Sequence, residues 1–355
     1  MPDQPTHPGL PSAPSILIIL MGSMGDVVRG LGLVAHLKEH LPGCRVTWLV
    51  EPAWAPLVRA HPAIDRVVVF DRPRGVRGVV ALARELRRHR FDATLDLQRH
   101  LKSGFFSLLS RARRRLGFHR RDAKEFNWFF NNERIDYVGE GIPKIEHYFR
   151  FTARLGLPAP ERVDFGFAGP GPAAALPPPP AAVGEGAVVL VMGSSWESKD
   201  WHREGYIALA REITGGPGRP VVLVGAPAQA EAARAVAAAL EGAPVTDLAG
   251  KTSLLELAAV LKTAAAAVGP DSGPGHLAAA VGTPSVTLFG PTDPVRTAPY
   301  GCGHLVVRAE VECAPCYRKR CQVPHIHCMR TIPLTSVLAK LDLALAGGPA
   351  PVRGG

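Results

Sequence analysis

The stretch from Val268 to Gly290, VGPDSGPGHLAAAVGTPSVTLFG, constrains the fold more than any other part of the chain. It reads as a short apolar strand over Ala264 to Val268, a turn punctuated by Gly and Pro, a small-residue helix opening near Gly273, and a second strand over Ser285 to Phe289. Together these make a βαβ unit. Gly273 and Gly275 let backbone approach a ligand closely, and the free N–H groups of the first helical turn, with the positive end of the helix dipole, favour an anion there. An ordinary tight strand-to-helix turn fits the same spacing, so the rest of the chain decides between them.

That rest repeats the alternation. Ser15 to Met21 is a continuous apolar run of the buried parallel-strand type, leading into Gly22-Ser23-Met24-Gly25-Asp26 and a helix from about Val27 to Leu41. Strands follow at Cys44 to Val50, Val67 to Phe70 and Ala93 to Leu97, separated by helices at Trp54 to Ala60 and Val79 to Arg90, and the helix Lys144 to Leu155 closes the array. Ala168 to Gly186 is mostly Gly, Pro and Ala, the composition of a semi-rigid connector. Beyond it the alternation restarts with a strand at Val188 to Met192 and continues through strands at Val221 to Val224 and Val245 to Leu248 into the Val268 unit. Two arrays of this kind predict two doubly wound parallel sheets, with a cleft between them. The expected division is a first Rossmann-like domain over 15–166, a linker over 167–186 and a second domain over 187–346, with disorder at 1–14 and 347–355.

A length of 355 residues suits two domains, and 46% hydrophobic with 20% charged residues describes a globular chain. The run Ile16 to Met21 is too short to span a bilayer, which predicts a cytoplasmic protein with at most peripheral membrane contact. The formal net charge is +10, and thirteen Lys and Arg against four Asp and Glu between Arg84 and Lys124 place +9 in that one segment. Such a surface attracts a polyanion: nucleic acid, an acidic membrane face or a phosphorylated acceptor. Cys313, Cys316, Cys321 and Cys328, with His325 and His327 among them, suggest reduced thiols or a structural metal before disulfides, although their spacing fits no standard zinc pattern.

Asp26, at the turn after the first strand, is either a helix N-cap or a general base kept ionised by the helix dipole. After the second array's first strand, Ser194, Ser195 and Lys199 suit a diphosphate, with Lys199 meeting negative charge on a leaving group. Arg99 and Lys102 fall where a strand's carboxyl end opens into the first domain's cleft.

The motifs GSMGD at 22–26, SSWESKDW at 194–201, VGAP at 224–227, LAGKTSLLELA at 248–258, GPDSGPGHLAAA at 269–280 and LFGPTDP at 288–294 occur in this order over Ile16 to about Leu338. As a set they resemble the ADP-heptose:lipopolysaccharide heptosyltransferases, glycosyltransferase family 9. The resemblance implies an α/β GT-B fold with two Rossmann-like domains facing a central cleft, and inverting, metal-independent transfer that needs no cofactor. It implies that the first domain binds Kdo–lipid A or its heptosylated form and the second binds ADP-heptose. Residue by residue, it implies Asp26 as the base, with Ser23, Gly25, Arg99 and Lys102 on the acceptor side. On the donor side it implies Ser194, Ser195, Lys199, Asp271, Ser272, Gly273, Gly275 and His276, with Glu231 as a ribose contact. Asp271 is assigned to sugar hydroxyls or to loop order, because like charge repels a phosphate. Basic residues of the 84–124 segment are then expected on the anionic acceptor or on the anionic face of the inner membrane, and a nucleic-acid partner is not expected. Family members often carry a basic residue a few positions before the Gly-Asp turn; Ser15 to Asp26 has none. The cysteine-rich element resembles one found in members akin to the second heptosyltransferase, and the set is closest to those.

Overall fold

The computed structural model describes residues 9–168, 173–216, 218–323 and 327–347, and divides after Ala175, inside the Pro-, Gly- and Ala-rich stretch, into two compact units. The first unit holds one parallel sheet of β1 (Ser15–Ile19), β2 (Arg45–Val50), β3 (Arg66–Val69), β4 (Ala93–Asp96), β5 (Arg114–Gly117) and β6 (Glu133–Arg134), in the order β3-β2-β1-β4-β5-β6. The second unit holds β7 (Val188–Val191), β8 (Val221–Val224), β9 (Val245–Asp247), β10 (Ala266–Pro270), β11 (Ser285–Phe289) and β12 (Val306–Arg308), in the order β12-β11-β10-β7-β8-β9. All the pairings are parallel.

The central strands are buried on both faces: Ile16 to Ile19 and Val188 to Leu190 are completely inaccessible. Continuous apolar runs, rather than alternating ones, are what such strands require. In both sheets the strand order reverses beside the first strand, between β1 and β4 and between β7 and β10. Helices leaving the carboxyl ends of those neighbours diverge to opposite faces, which opens a crevice at the strand ends. Asp26 follows β1 and Gln98 follows β4; Lys199 follows β7 and Asp271 follows β10.

Several expectations need correction. Residues 9–14 were expected to be disordered, but Pro14 is buried and its carbonyl accepts the Arg45 N–H at 2.8 Å, extending the sheet backwards; residues 1–8 and 348–355 lie outside the described residues. Part of the basic run is strand β5 rather than open surface. Arg114 makes a forked pair with Glu133, Nε to Oε1 at 2.7 Å and Nη2 to Oε2 at 2.8 Å, so its charge holds β5 to β6. Arg115 donates to the Phe130 and Ala112 carbonyls. Four arginines in five residues conceal a strand because β propensity follows packing as much as residue type. β6, β12 and the helix Leu334–Ala346, which packs on the second sheet, are also additional to the reading of the sequence. No described helix is long and apolar enough to cross a membrane.

Candidate active site

In the first unit, the helix Met24–His40 begins directly after β1, and Asp26 occupies its first turn. The turn before it is clamped by Gln98: Oε1 accepts the Met21 and Gly22 N–H groups at 2.7 and 3.3 Å, and Nε2 donates to the Gly22 carbonyl at 2.9 Å. The Asp26 Oδ1 accepts from Arg29 Nη2 at 2.8 Å, Lys144 Nζ at 2.9 Å and the Tyr148 hydroxyl at 3.3 Å. Its Oδ2 accepts one long bond among the described residues, from Ser23 Oγ at 3.3 Å. Burial alone would raise this carboxyl, but Lys144 and Arg29 outweigh it and hold Asp26 far below the usual carboxylate range. Burial and the Asp26 charge push Tyr148 well above its ordinary value, so it remains a donor. Asp26 is therefore an ionised, partly exposed carboxylate with three donors on Oδ1 and one long bond on Oδ2. Ser23 is the N-cap residue but makes no side-chain cap bond, and Gly25 is buried inside the helix.

Sequence reasoning passed over Arg29, which the i+3 spacing from Asp26 on a helix could have found. Lys144 and Tyr148 could not be found that way, because they arrive from 118 and 122 residues away on the helix Lys144–Arg154. Lys144 brings positive charge to the turn from a later helix, although Ser15 to Asp26 contains no basic residue.

The structure brings Arg99 near this cluster, and ties Lys102 to Glu51, whose N–H donates to the Met21 carbonyl at 3.1 Å in the turn before Asp26. The Arg99 backbone is left-handed (φ 73°), its guanidinium stacks 4.6 Å from the Phe118 ring centroid, and its charge is felt at Tyr148. Lys102 lies over Phe70 and pairs with Glu51 at 3.4 Å. The loop carrying both is tied down by Asp96, whose Oδ2 accepts from Asn127 Nδ2 at 2.6 Å and Asn131 Nδ2 at 3.2 Å. Burial raises the Asp96 carboxyl, an effect these donors partly offset.

In the second unit, β10 ends at Pro270 and the helix Gly273–Ala280 opens two residues later, leaving Asp271 and Ser272 at its mouth. Asp271 is buried. Its Oδ2 accepts from Lys199 Nζ at 2.8 Å, Thr292 Oγ1 at 2.8 Å and Thr297 Oγ1 at 3.2 Å, while His276 Nε2 is 3.8 Å from Oδ1. Burial would raise this carboxyl too, but Lys199 and His276 bring it below its ordinary value. Lys199 also donates to the Asp271 carbonyl at 3.1 Å and lies 4.6 Å from the Trp196 ring centroid. Ser272 Oγ is buried with no hydrogen-bond partner among the described residues and does not cap its own helix. A hydroxyl left in that state beside free helical N–H groups is complementary to an anion's oxygens. Gly275 is buried, and a Cβ there would lie 3.2 Å from Ser285 Oγ, so this glycine seats the helix on β11.

The other donor-side candidates separate. The Ser194 hydroxyl is engaged with its own loop, donating to the Trp196 carbonyl at 2.9 Å and accepting its N–H at 3.0 Å, while Ser195 is exposed. Asp200, which sequence reasoning passed over, accepts the Ser194 N–H at 2.8 Å, and its carboxyl is raised to about 6, chiefly by burial. Glu231 is exposed in the first turn of the helix Ala230–Ala238, with no hydrogen bond or ion pair to the Asp271 cluster among the described residues. The cysteine-bearing segment braces the Lys199 loop: Ser198 Oγ donates to the Arg318 carbonyl at 2.6 Å and Ser198 N–H to that of Lys319 at 3.2 Å. Cys313, Cys316, Cys321 and Cys328 are free thiols; Cys328 is pushed up to about 11 by burial and by the other three. His325 and the His327 side chain lie outside the described residues. Among those described, His36, Glu39 and His40 could jointly hold a metal, their ligand atoms lying within 4.8 Å of one another. They sit at the far end of the Asp26 helix, about 15 Å along its axis at 1.5 Å per residue.

Two units, each with a cation-paired aspartate at the switch point of a parallel sheet, agree with what comparison with known proteins finds. Residues 79–327 match the model of glycosyltransferase family 9 (heptosyltransferase). The chain belongs to that family. It is 30% identical over 297 residues to the lipopolysaccharide core heptosyltransferase OpsX of Haemophilus influenzae, covering 81% of this chain and 82% of that one. It is 31% identical to lipopolysaccharide heptosyltransferase 1 of Pseudomonas aeruginosa, covering 86% and 87%. Among solved structures, Escherichia coli heptosyltransferase WaaC with ADP superposes with a TM-score of 0.74 at 25% identity, over 93% of this chain and 99% of that one. Escherichia coli heptosyltransferase II matches in fold, with a TM-score of 0.73 at 22% identity over 94% and 98%. The chain is thus a glycosyltransferase of the heptosyltransferase family, with the α/β architecture of its GT-B members.

Proposed function

We propose that this heptosyltransferase family member moves heptose from ADP-heptose to the lipopolysaccharide inner core, with Asp26 as the base and the Asp271 cluster as the donor-phosphate anchor. The observation that carries the reading is Asp26. A carboxylate kept ionised by two cations, with Oδ2 still able to accept, suits proton removal from an acceptor hydroxyl. Because the cations weaken it as a base, proton transfer accompanies attack, when the hydroxyl becomes strongly acidic. The acceptor oxygen bonds to the anomeric carbon from the face opposite the diphosphate, its proton passes to Oδ2, and the bond to the diphosphate oxygen breaks with its electrons leaving on ADP. Inversion follows from that geometry.

On the donor side, Lys199, Ser272 Oγ and the first-turn N–H groups of the helix Gly273–Ala280 supply positive charge and donors where the diphosphate gathers charge. Asp271 acts by fixing Lys199 and the Thr292 to Thr297 segment. Support comes from the ADP bound to the WaaC homologue and from relatives named for lipopolysaccharide heptose transfer. We place the enzyme in the cytoplasm at the inner membrane, where Arg99 and exposed basic residues of the 84–124 segment face an anionic acceptor.

Relatives named heptosyltransferase 1 favour Kdo–lipid A itself as acceptor. The cysteine-rich element favours the mono-heptosylated acceptor as the second reading. Mass-spectrometric transfer from ADP-heptose to each acceptor separates them. Product on Kdo–lipid A alone supports the first and product on the heptosylated acceptor alone the second, whereas none on either, despite ADP binding, sinks the heptose assignment.

A further inference from the structure

The helix Leu101–Leu109 seats Phe106 in the core but carries a second apolar stripe on its outer face. Its hydroxyl residues face inward: Ser103 accepts from Asn127 Nδ2 at 3.2 Å, Ser107 donates to Asn131 Oδ1 at 2.7 Å, and Ser110, just past the helix end, meets Thr94 Oγ1 at 2.8 Å. Leu101, Phe105 and Leu108, at i, i+4 and i+7, form a stripe that faces solvent. A helix that served only the core would lack it.

The stripe continues onto the neighbouring segment. Phe105 meets Phe130 at 6.3 Å between ring centroids, and Phe130 meets Phe129 at 5.6 Å. Phe126 and Phe129 are 72% and 73% exposed, an unusual state for two phenylalanines within five residues of the buried Asn131. Charge around this apolar face is one-sided. Between 101 and 134 the exposed basic residues are Arg111, Arg113, Arg120, Arg121, Lys124 and Arg134, against Glu125 as the one exposed acid. Arg134 lies over Trp128, 5.6 Å from the ring centroid.

We propose that this face is a membrane anchor: Phe126, Phe129 and the Leu101, Phe105, Leu108 stripe enter the headgroup boundary of an anionic bilayer, and the surrounding arginines and lysine bind its phosphates. Aromatic rings favour the interfacial zone, and juxtaposed basic residues add attraction to anionic lipid. A second copy of the chain would fit worse, because an isologous contact would oppose one basic rim to another. The inference deepens the lipid-linked acceptor reading and rests on it for its purpose. The anchor would bring the loop of Arg99 and Lys102, which leads into the stripe, down to the lipid surface.

The test is flotation of the full-length chain with vesicles of phosphatidylcholine alone or containing phosphatidylglycerol, with no sugar substrate. The wild type is expected to float with the anionic vesicles and to lose much of that binding in high salt. Phe126→Asn with Phe129→Ser is expected to lower partitioning by about tenfold or more, at the cost of two interfacial anchors; Asn tolerates the left-handed backbone at 126 (φ 58°). Transfer to a deacylated, water-soluble acceptor is expected to be unchanged in that variant, so failure of the anchor and failure of the sugar assignment give different results. Arg111→Gln with Arg113→Gln is a second route that leaves the apolar face intact and should weaken binding to anionic vesicles only. Equal flotation of wild type and both double variants would overturn the proposal, as would a concentration-dependent dimer that the Phe variant abolishes.

Discussion

Asp26 and Asp271 are near-equivalents by position and by wiring, and differ in exposure. Each leaves a central strand of a doubly wound sheet, stands at the mouth of a helix and pairs with a lysine, at 2.9 and 2.8 Å. Asp271 spends one oxygen on three donors from the Lys199 loop and the Thr292 to Thr297 segment, which makes it a tie between elements. Asp26 likewise concentrates three donors on Oδ1, but its side chain is 17% exposed against 5% for Asp271. The contrast teaches that an ion-paired carboxylate becomes chemical machinery when it stays open enough for a substrate to reach; charge pairing and a spare acceptor oxygen describe both.

The sharpest way to break the contrast is isosteric substitution. Asp26→Asn keeps the shape and removes the base, so kcat should fall by about 10²- to 10⁴-fold, with KM for the donor nearly unchanged. Asp271→Ala breaks a buried pair and strands Lys199, so a stability loss of about 3 kcal/mol is expected in denaturant melts, together with weaker ADP binding by calorimetry. Lys144→Met tests the electrostatic half of the account. Removing one of two cations raises the Asp26 carboxyl, moving the acid limb of the pH–rate profile to higher pH. The same shift acts on stability. A depressed folded-state carboxyl contributes stability above the ordinary carboxylate value and loses it as pH falls, so the variant should lose less stability on acidification than the wild type. The smallest effect concerns Asp200. Its carboxyl is raised to about 6, so the folded state holds the proton more tightly and stability should decline as pH climbs from the ordinary carboxylate value to about 6. In Asp200→Asn that component of the slope should vanish from melts taken across this window.

How much of this was legible in the sequence follows the same line between local and distant. The βαβ unit around Asp271, the strand at Ser15 and the Pro-rich connector are written in contiguous residues, and Asp26, Lys199, Asp271 and His276 were each nominated from motifs of a few positions. Lys144, Tyr148 and Gln98 reach the Asp26 turn across 76 to 122 residues, and no pattern of neighbours announces them. β5 stayed hidden because arginines fill it, and Arg114 reads as solvated charge until Glu133 is beside it. Ser194 reads as a phosphate ligand until its hydroxyl is found closing its own loop. Local chemistry nominated the candidates, and tertiary contacts divided them into those that brace and those that face outward.

The most direct test of the central claim takes Asp26→Asn and measures two quantities on the same preparation: ADP affinity by calorimetry, and the single-turnover rate of heptose transfer to the preferred inner-core acceptor. The account predicts ADP affinity equal to that of the wild type and a transfer rate reduced at least about a hundredfold. A rate close to wild type, or a loss of ADP affinity as large as the loss of rate, would contradict it and leave Asp26 as a second structural tie like Asp271.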